Sequence, residues 1–454
     1  MTYPDALSYL GQTRRFGMKL GLEPMHALAR VLGDPQNSLR FIHLAGTNGK
    51  GSTAAFCESC LRASGFRVGL YTSPHLVSVR ERIQIDRHPI FEADFAEGMT
   101  AVCCALEKTG NDEATYFELM TALALWYFGR EKVDWVVWET GLGGRLDATN
   151  IVTPEVCIIT NIGLDHQQYL GESLAEIAAE KAGIIKPGVP VVSAVEIGEA
   201  SEVIRKRAKA ERCGLTLVQR DMELKDLGLR DGKQIAEIDG HEFALGLMGP
   251  HQISNAACAL EAMLQVRRNV IENDRLHEEL YSIDDAIARG LESTVWPGRF
   301  EILSEKPLIV LDGAHNPAGV KMLVETWRAF LASRFAWDAG RINASTHLVF
   351  ASVADKDIFP MAQLLRPLAS KVSLVRLLNE RSAEPSQLAP SFAGLPCACY
   401  DSVAAAWQDI VSASESITLI TGSLFLVGEM LALRQGNAEE YQLNERLEKF
   451  TPIR

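Results

Sequence analysis

The sequence predicts an α/β protein built from two doubly wound, mostly parallel sheet domains. Short apolar stretches alternate with amphipathic helical ones along most of the chain, which is typical of this class. Several predicted strands end in glycines, acids or hydroxyl residues, and open α/β sheets bind ligands at that edge. The chain has 454 residues, too many for one ordinary domain. We place the boundary at Trp296, which gives a first domain of residues 1–295 and a smaller, Rossmann-like second domain of residues 296–454.

A glycine-rich loop follows the first predicted strand, Phe41 to Leu44. It reads Gly46-Thr47-Asn48-Gly49-Lys50-Gly51-Ser52, and a helical pattern continues from Thr53. Strand, glycine-rich turn and helix are the arrangement in which backbone N–H groups at a helix N-terminus bind phosphate. We therefore call residues 46–52 the phosphate loop.

Two residues of the phosphate loop carry its expected chemistry. Lys50 would bind β- and γ-phosphate oxygens, and the Ser52 hydroxyl would hold Mg²⁺. The general motif is broken, because Leu44 stands where it has glycine and Gly51 where it has Ser or Thr. The alternative is a plain turn with an exposed lysine.

Composition restricts the partners. The net charge is −13, which disfavours nucleic acid and anionic membranes, so an anionic substrate needs a locally basic pocket. The nine cysteines form no zinc or redox pattern, and Cys57 and Cys60 are expected in a helix core. We expect no signal peptide, no membrane span and a cytoplasmic location.

Three more strand ends carry candidate ligands. Glu139 ends an apolar strand, and an acid there, downstream of a phosphate loop, is where nucleotide-hydrolysing folds hold Mg²⁺. His166 follows the strand at 156–160 and is a ligand or acid/base candidate. Ser73 lies in the loop after the strand at 66–71, where a plain turn is the alternative.

Some candidates have an equally simple structural explanation. Thr115 and Glu118 form a capping box, while the adjacent aromatic pair Tyr116-Phe117 could line a pocket for a flat ring. Lys181 could be a solvated surface lysine. Asn255 could cap the helix predicted at 255–266 or face a nucleotide base.

Eight motifs in order give these residues a family. They are AGTNGKGS, TSPHL, ETGLGGRLDATN, LDHQQYLG with EKAGIIKPG, GPHQISNA, WPGRFE, LDGAHNP and ITGSL. Together they closely resemble folylpolyglutamate synthase/dihydrofolate synthase of the Mur ligase superfamily, from the N-terminal helices to about residue 430. The resemblance implies a Mur-ligase-like first domain that contains the phosphate loop and binds ATP and folate. The second domain would close over ATP and glutamate.

The resemblance also implies the activity. ATP would phosphorylate a substrate carboxylate, and L-glutamate would displace phosphate from the acyl phosphate to form an amide. Lys50, Glu139, His166 and Lys181 are the implied catalytic residues, with Lys181 a candidate for N-carboxylation. Ser52, Ser73, Glu139 and His166 would be Mg²⁺ ligands at two sites, and a monovalent cation is a further candidate. The ATP site would comprise the phosphate loop with Asn255, Arg299, Asp312 and His315. The pteroate site would comprise Met18, Lys19, Leu20, Gly21, Tyr116, Phe117, Glu118, Leu119, Leu146, Asp147 and Ala148.

The range of substrates stays open at this point. RLDATN resembles the bifunctional type, which adds glutamate to dihydropteroate and to reduced folates, whereas Lys19 departs from the acid expected there. A folylpolyglutamate synthase with that single activity is therefore the alternative. Other readings are a ligase acting on a UDP-muramoyl carrier, disfavoured because Phe41 arrives too early for a preceding UDP-binding domain, and a nucleotide-driven switch. The expected partners are small molecules, and the expected state is a monomer.

Overall fold

A computed structural model describes residues 1–13, 21–110, 113–272, 283–412, 417–438 and 440–442. Within these residues the α/β class is confirmed, with sheets of eight, three and six strands. In the same part of the chain, no helix is long and apolar enough to cross a membrane.

The first sheet has the order β4-β3-β2-β5-β1-β6-β7-β8. The six strands β2, β5, β1, β6, β7 and β8 run parallel, and β3 and β4 form an antiparallel hairpin at one edge. The strands are β1 (Phe41–Ala45), β2 (Val68–Tyr71), β3 (Ile83–Ile85), β4 (His88–Pro89), β5 (Trp135–Glu139), β6 (Val156–Ile159), β7 (Val191–Ser193) and β8 (Leu215–Leu217). Every residue of β1, β5 and β6 is buried, as continuous apolar runs predict for parallel strands that are covered on both faces.

The second and third sheets follow in the chain. An antiparallel sheet contains β9 (Leu224–Arg230), β10 (Lys233–Ile238) and β11 (His241–Leu245). The third sheet has the order β12-β13-β17-β14-β15-β16 and is parallel except for the pair β12–β13. Its strands are β12 (Glu301–Glu305), β13 (Leu308–Leu311), β14 (Thr346–Phe350), β15 (Ala369–Val375), β16 (Cys397–Tyr400) and β17 (Ile417–Thr421).

Helices cover the sheets. In chain order they are α1 (Tyr3–Thr13), α2 (Glu23–Val31), α3 (Lys50–Ala63), α4 (Glu92–Thr109), α5 (Tyr116–Glu131), α6 (Gln167–Leu170), α7 (Leu174–Lys181), α8 (Glu199–Ala210), α9 (Val218–Asp221), α10 (Pro250–Glu272), α11 (Ile283–Ser293), α12 (Pro317–Phe335), α13 (Ala339–Ile342), α14 (Ile358–Leu365), α15 (Pro385–Leu388), α16 (Val403–Ser412) and α17 (Leu424–Gln435). Helices α1, α2, α4 and α5 share one apolar core on the first sheet, while α3, α10 and α11 share a second. The carboxyl edge of the first sheet therefore stays open between two helical layers.

The structure corrects several predicted elements. The helix after the phosphate loop begins at Lys50 rather than Thr53, and the helix predicted at 255–266 spans Pro250–Glu272. Strand β8 joins the first sheet, whereas β9–β11 form a sheet of their own. Cys57 and Cys60 are buried, as expected of a helix core. The third sheet begins at Glu301, and the domain division at Trp296 stays a prediction.

Candidate active site at the carboxyl edge of the first sheet

The phosphate loop connects β1 to α3 and is held by the segment that follows β6. Its Asn48 N–H donates to Asn161 Oδ1 at 2.7 Å, and its Thr47 N–H donates to the Asn161 carbonyl at 2.9 Å. Gly49 precedes α3 with φ +83°, a left-handed conformation that glycine adopts without strain. A Cβ at Gly49 would lie 2.6 Å from Asn255 Oδ1, so only glycine fits between the loop and α10. The helix starts early because Gly49 provides this sharp entry.

Two lysines converge on one carbonyl of the phosphate loop. Lys50 Nζ donates to the Gly46 carbonyl at 3.0 Å, and Lys181 Nζ donates to the same oxygen at 2.8 Å. Lys181 ends α7 and is 4% exposed, so the surface alternative is wrong for it. Burial, followed by the charge of Lys50, lowers the pKa of Lys181 to about 7. A large fraction of this amine is therefore neutral near pH 7.

Glu139 places a buried carboxyl group at the end of β5, next to β1. It is 3% exposed, and its Oε2 accepts a hydrogen bond from the Ser73 N–H at 3.0 Å. Burial raises the pKa of Glu139 to about 7, even though Lys50, the Ser73 N–H and Arg299 favour its charged form. A cation bound beside Glu139 would therefore stabilise the ionised carboxylate.

Gly51 and Ser52 occupy the first turn of α3. The Ser52 hydroxyl is 2% exposed and lies 3.5 Å from Gln252 Nε2 of α10. A Cβ at Gly51 would lie 2.9 Å from Nε1 of Trp296, so the indole packs directly on this backbone. No local pattern around either residue predicts that contact.

The donor set suits Mg²⁺ better than a transition metal. Among the described residues, no group of three His, Cys, Asp or Glu side chains could hold a metal ion unaided. The edge offers one buried carboxyl group and serine hydroxyls instead. Mg²⁺ is commonly held by one or two carboxylates together with phosphate oxygens and water, and these residues fit that pattern.

His166, predicted as a ligand or acid/base candidate, lies at the same edge of the sheet. It has φ +51°, directly precedes α6, and its side chain is 52% exposed. Burial and the charges of Lys356, Lys50 and Lys181 lower the pKa of His166, although Asp165 opposes them. His166 therefore lies close enough to Lys50 and Lys181 for their charges to affect its pKa, while about half of its side chain stays exposed.

An ion pair connects this segment to the second domain. Asp165 Oδ1 accepts hydrogen bonds from the His166 N–H at 2.9 Å and from Lys356 Nζ at 3.4 Å. Neither residue is among the predicted candidates, although Lys356 follows the end of β14 much as His166 follows the end of β6.

The predicted pteroate site contains an aromatic surface. The Phe117 ring packs on Gly141, where a Cβ would lie 2.5 Å from Cζ, and lies 6.0 Å from the Tyr71 ring. The Arg82 guanidinium lies 5.3 Å from the Tyr116 ring centroid. A flat ring could stack in this environment beside a cation.

Two neighbours of these aromatics are used structurally. Glu118 accepts hydrogen bonds from the Thr115 N–H and hydroxyl, which completes the predicted capping box. Leu119 is fully buried in the first core. Glu118 thus caps α5 and Leu119 packs in the core, and their predicted contact with pteroate stays a prediction.

Asp147 organises the loop after Glu139. Its carboxylate accepts hydrogen bonds from the Leu142 N–H at 2.8 Å and the Thr149 N–H at 3.0 Å. Burial raises the pKa of Asp147, although these hydrogen bonds favour the charged form. Leu146 is partly buried and Ala148 is buried beside it. Gly21 has φ +140°, whereas Met18, Lys19 and Leu20 lie outside the described residues.

The predicted nucleotide-binding residues flank the phosphate loop. Asn255 is buried in the second turn of α10 and donates to Gln252 Oε1 at 2.9 Å, so it does not cap the helix. Asp312 accepts hydrogen bonds from the Phe300 and Ala314 N–H groups at 2.9 and 2.8 Å. Burial raises the pKa of Asp312, although the positive charge of Arg299 favours the ionised carboxylate.

A cleft lined by apolar residues and by charged residues of both signs lies between the two domains. His315 Nδ1 lies 2.8 Å from the Gly313 carbonyl, and burial lowers the pKa of His315. A cavity of about 370 Å³ adjoins the phosphate loop; its lining includes Gly51, Ser73, Glu139, Trp296 and Arg299. The cleft therefore joins the edge of the first sheet to the beginning of the second domain.

Comparison with known proteins identifies the family. The Mur ligase middle domain matches residues 44–263, and the Mur ligase glutamate ligase domain matches residues 298–424. The dihydrofolate synthase/folylpolyglutamate synthase of Bacillus subtilis is 36% identical, and the match covers 94% of this chain and 98% of that protein. The Escherichia coli protein of the same name is 34% identical, with 94% of each covered.

Solved structures agree with these relatives. Folylpolyglutamate synthase from Thermotoga maritima superposes with a TM-score of 0.81 at 32% identity, and 97% of this chain and 99% of that chain are covered. Escherichia coli FolC in complex with DHPP and ADP gives a TM-score of 0.81 at 30% identity over 96% and 98% of the two chains. The predicted resemblance is confirmed: the chain belongs to the folylpolyglutamate synthase/dihydrofolate synthase family of Mur ligases.

Proposed function

We propose that this protein is an ATP-dependent ligase that adds L-glutamate to dihydropteroate and to tetrahydrofolate and its polyglutamates. The observation that carries the proposal is the convergence of Lys50, Lys181 and Glu139 at the phosphate loop. The Bacillus subtilis and Escherichia coli relatives are both named for the two activities, which favours the bifunctional form.

The reaction is two displacements. A carboxylate oxygen of the folate substrate attacks the γ-phosphorus of ATP, the bond to the β-phosphate oxygen breaks, and ADP leaves. The glutamate amine then attacks the acyl carbon, the bond to the phosphate oxygen breaks, and the amine loses a proton. Both steps depend on charge neutralisation and alignment more than on covalent help from the protein.

The phosphate loop supports the first displacement. Its N–H groups at the start of α3 and the Lys50 ammonium would bind the β- and γ-phosphates. Lys50 Nζ donates to the carbonyls of Gly46 and Thr47, which hold its ammonium group at the phosphate loop. Arg299 would contact phosphate, and Asn255 and Asp312 the rest of the nucleotide, with His315 close by.

Magnesium completes this arrangement. Ser52, Ser73, Glu139 and His166 would hold Mg²⁺ at two positions, some of them through water. Bound there, Mg²⁺ supplies positive charge to the phosphate oxygens. A monovalent cation is a further candidate.

Lys181 is the candidate for N-carboxylation. Its neutral amine would attack CO₂ and lose a proton, which gives a carbamate anion. Two arguments support the proposal. The lowered pKa of Lys181 provides the neutral amine, and a carbamate anion here would be stabilised by the positive charge of Lys50. A free ammonium at this position would repel Mg²⁺.

The substrate and the domains have assigned places. Phe117 would stack on the pterin ring and Asp147 would face its polar edge, with residues 18–21, Tyr116, Leu146 and Ala148 around them. The first domain binds ATP and folate, and the second closes over ATP and glutamate, which keeps water from the acyl phosphate. We also propose a cytoplasmic monomer with small-molecule partners; light scattering tests the monomer.

A substrate panel tests the function. ADP release is measured with dihydropteroate or tetrahydrofolate, each with and without L-glutamate, and Lys50→Ala is the control. We expect ADP release only with both substrates present. Glutamate-dependent ADP release with tetrahydrofolate but not with dihydropteroate indicates the single-activity form. ADP release that is independent of both the acceptor and glutamate supports a nucleotide switch and contradicts the proposal.

A further inference from the structure

We propose that Asn316 is a positioning residue that couples the second domain to the shape of the phosphate loop through Asn48. Asn316 immediately precedes α12 in the second domain, and its Nδ2 donates to Asn48 Oδ1 in the first domain at 3.1 Å. The two residues are 268 positions apart in the chain. The inference rests on the proposed ATP-dependent ligase reaction and adds a role for a residue outside its binding set.

The amide of Asn316 has a fixed orientation. Its Oδ1 accepts a hydrogen bond from the Gly319 N–H at 2.8 Å and thereby caps the 19-residue helix α12. Because an N–H group requires an acceptor, the amide oxygen must face Gly319, and the NH₂ group must face Asn48. One side chain therefore performs two tasks, a helix cap within its own domain and a donor across the cleft.

Asn48 is held from three directions. Its N–H donates to Asn161 Oδ1 at 2.7 Å, and its carbonyl accepts from the Thr160 hydroxyl at 2.7 Å. These bonds come from the first domain and fix the backbone, whereas Asn316 holds the side chain from the second. Since Asn48 directly precedes Gly49 and Lys50, an altered Asn48 changes the turn that presents Lys50 to phosphate.

Serine at position 316 separates the two tasks. Serine caps helices about as well as asparagine, but its hydroxyl ends one bond short of the amide nitrogen and cannot bridge to Asn48. N316A removes both the cap and the bridge. N343S is the matched control, since Asn343 accepts an exposed hydrogen bond from Arg328 in the same domain at 3.0 Å, on the surface.

The experiment measures ATP kinetics and thermal denaturation of the full chain. We expect N316S to keep the wild-type Tm and to lower kcat/KM for ATP by about 3- to 10-fold, the range of one net hydrogen bond. N316A should show the same decrease in kcat/KM for ATP together with a lower Tm. N343S should have the wild-type kcat/KM and the wild-type Tm. N316T, with the same capping hydroxyl, replaces N316S if that variant does not fold.

A double-mutant cycle decides the route of the effect. If Asn316 acts through Asn48, N48A/N316S has the same kcat/KM as N48A. Wild-type kinetics for folded N316S, or losses that multiply in the double variant, would overturn the inference while leaving the ligase intact. An inactive wild-type protein would instead overturn the proposed function together with it.

Discussion

Glu139→Gln should stabilise the metal-free protein while it abolishes ligation. Burial raises the pKa of this carboxyl group to about 7 from its ordinary value of 4.5. At about 1.36 kcal/mol per unit of pKa, the charged form costs the fold about 3 kcal/mol. That figure already includes the favourable charges of Lys50 and Arg299, so it describes the ionised group in place.

The effect has a defined pH window. The folded protein binds a proton at Glu139 up to about pH 7, whereas the unfolded chain releases it near pH 4.5. Stability therefore falls as pH rises from 4.5 to 7, and the whole penalty is present above pH 7. Glutamine keeps the size of the side chain and an oxygen for the Ser73 N–H. Its gain should be largest at pH 8 and absent at pH 4.

The assay is thermal denaturation in EDTA at both pH values. A domain of 150–250 residues shifts by roughly 2–4 °C per kcal/mol, so a gain of about 3 kcal/mol predicts a rise of roughly 6–12 °C at pH 8. Added Mg²⁺ should stabilise wild type and not the variant, because only the native carboxylate gains a cation. Glu131→Gln is the matched control, since Glu131 lies in an exposed ion pair with Arg67 and should give no rise. An unchanged Tm at pH 8, or an equal rise at pH 4, would refute the reasoning.

Three further changes test the site. Lys50→Ala should lower kcat at least 100-fold through lost phosphate stabilisation, with an unchanged circular dichroism spectrum; near-normal ADP release would exclude the assigned role. Lys181→Ala should be inactive and partly regain ADP release with acetate, and full activity without acetate would remove the carbamate. Gly49→Ala should cost about 1–3 kcal/mol of stability and raise the KM for ATP, because φ is +83° and a Cβ would contact Asn255. Normal urea denaturation of this variant would show that the turn tolerates a side chain.

Local patterns were sufficient for the parts of the site that lie within one strand, loop and helix. The strand at Phe41, the phosphate loop and the Thr115/Glu118 capping box depend on residues close in sequence, and the structure has all three. The early start of α10 was also accessible, because Pro250 is favoured at the first position of a helix. The hairpin β3–β4 was missed because its strands are very short and charged residues surround them.

Contacts between distant segments were beyond the sequence. Lys181 reaches Gly46 across 135 positions, and Lys356 reaches Asp165 across 191. No local periodicity encodes which strand ends face each other, since that depends on strand order and on how two domains meet. The strand-end rule selected candidates that the structure brings to one edge of the first sheet, but which of them pair there depends on the three-dimensional structure.

The indole of Trp296 against Gly51 explains why the loop reads Lys-Gly-Ser. Since a Cβ at position 51 would lie 2.9 Å from Trp296 Nε1, a hydroxyl residue has no room directly after Lys50, and the serine stands at position 52 instead. Trp296 and the phosphate loop therefore form one steric unit. A chimera that takes its C-terminal half from a relative should therefore be joined after Trp296, so that the indole and Gly51 come from the same parent sequence.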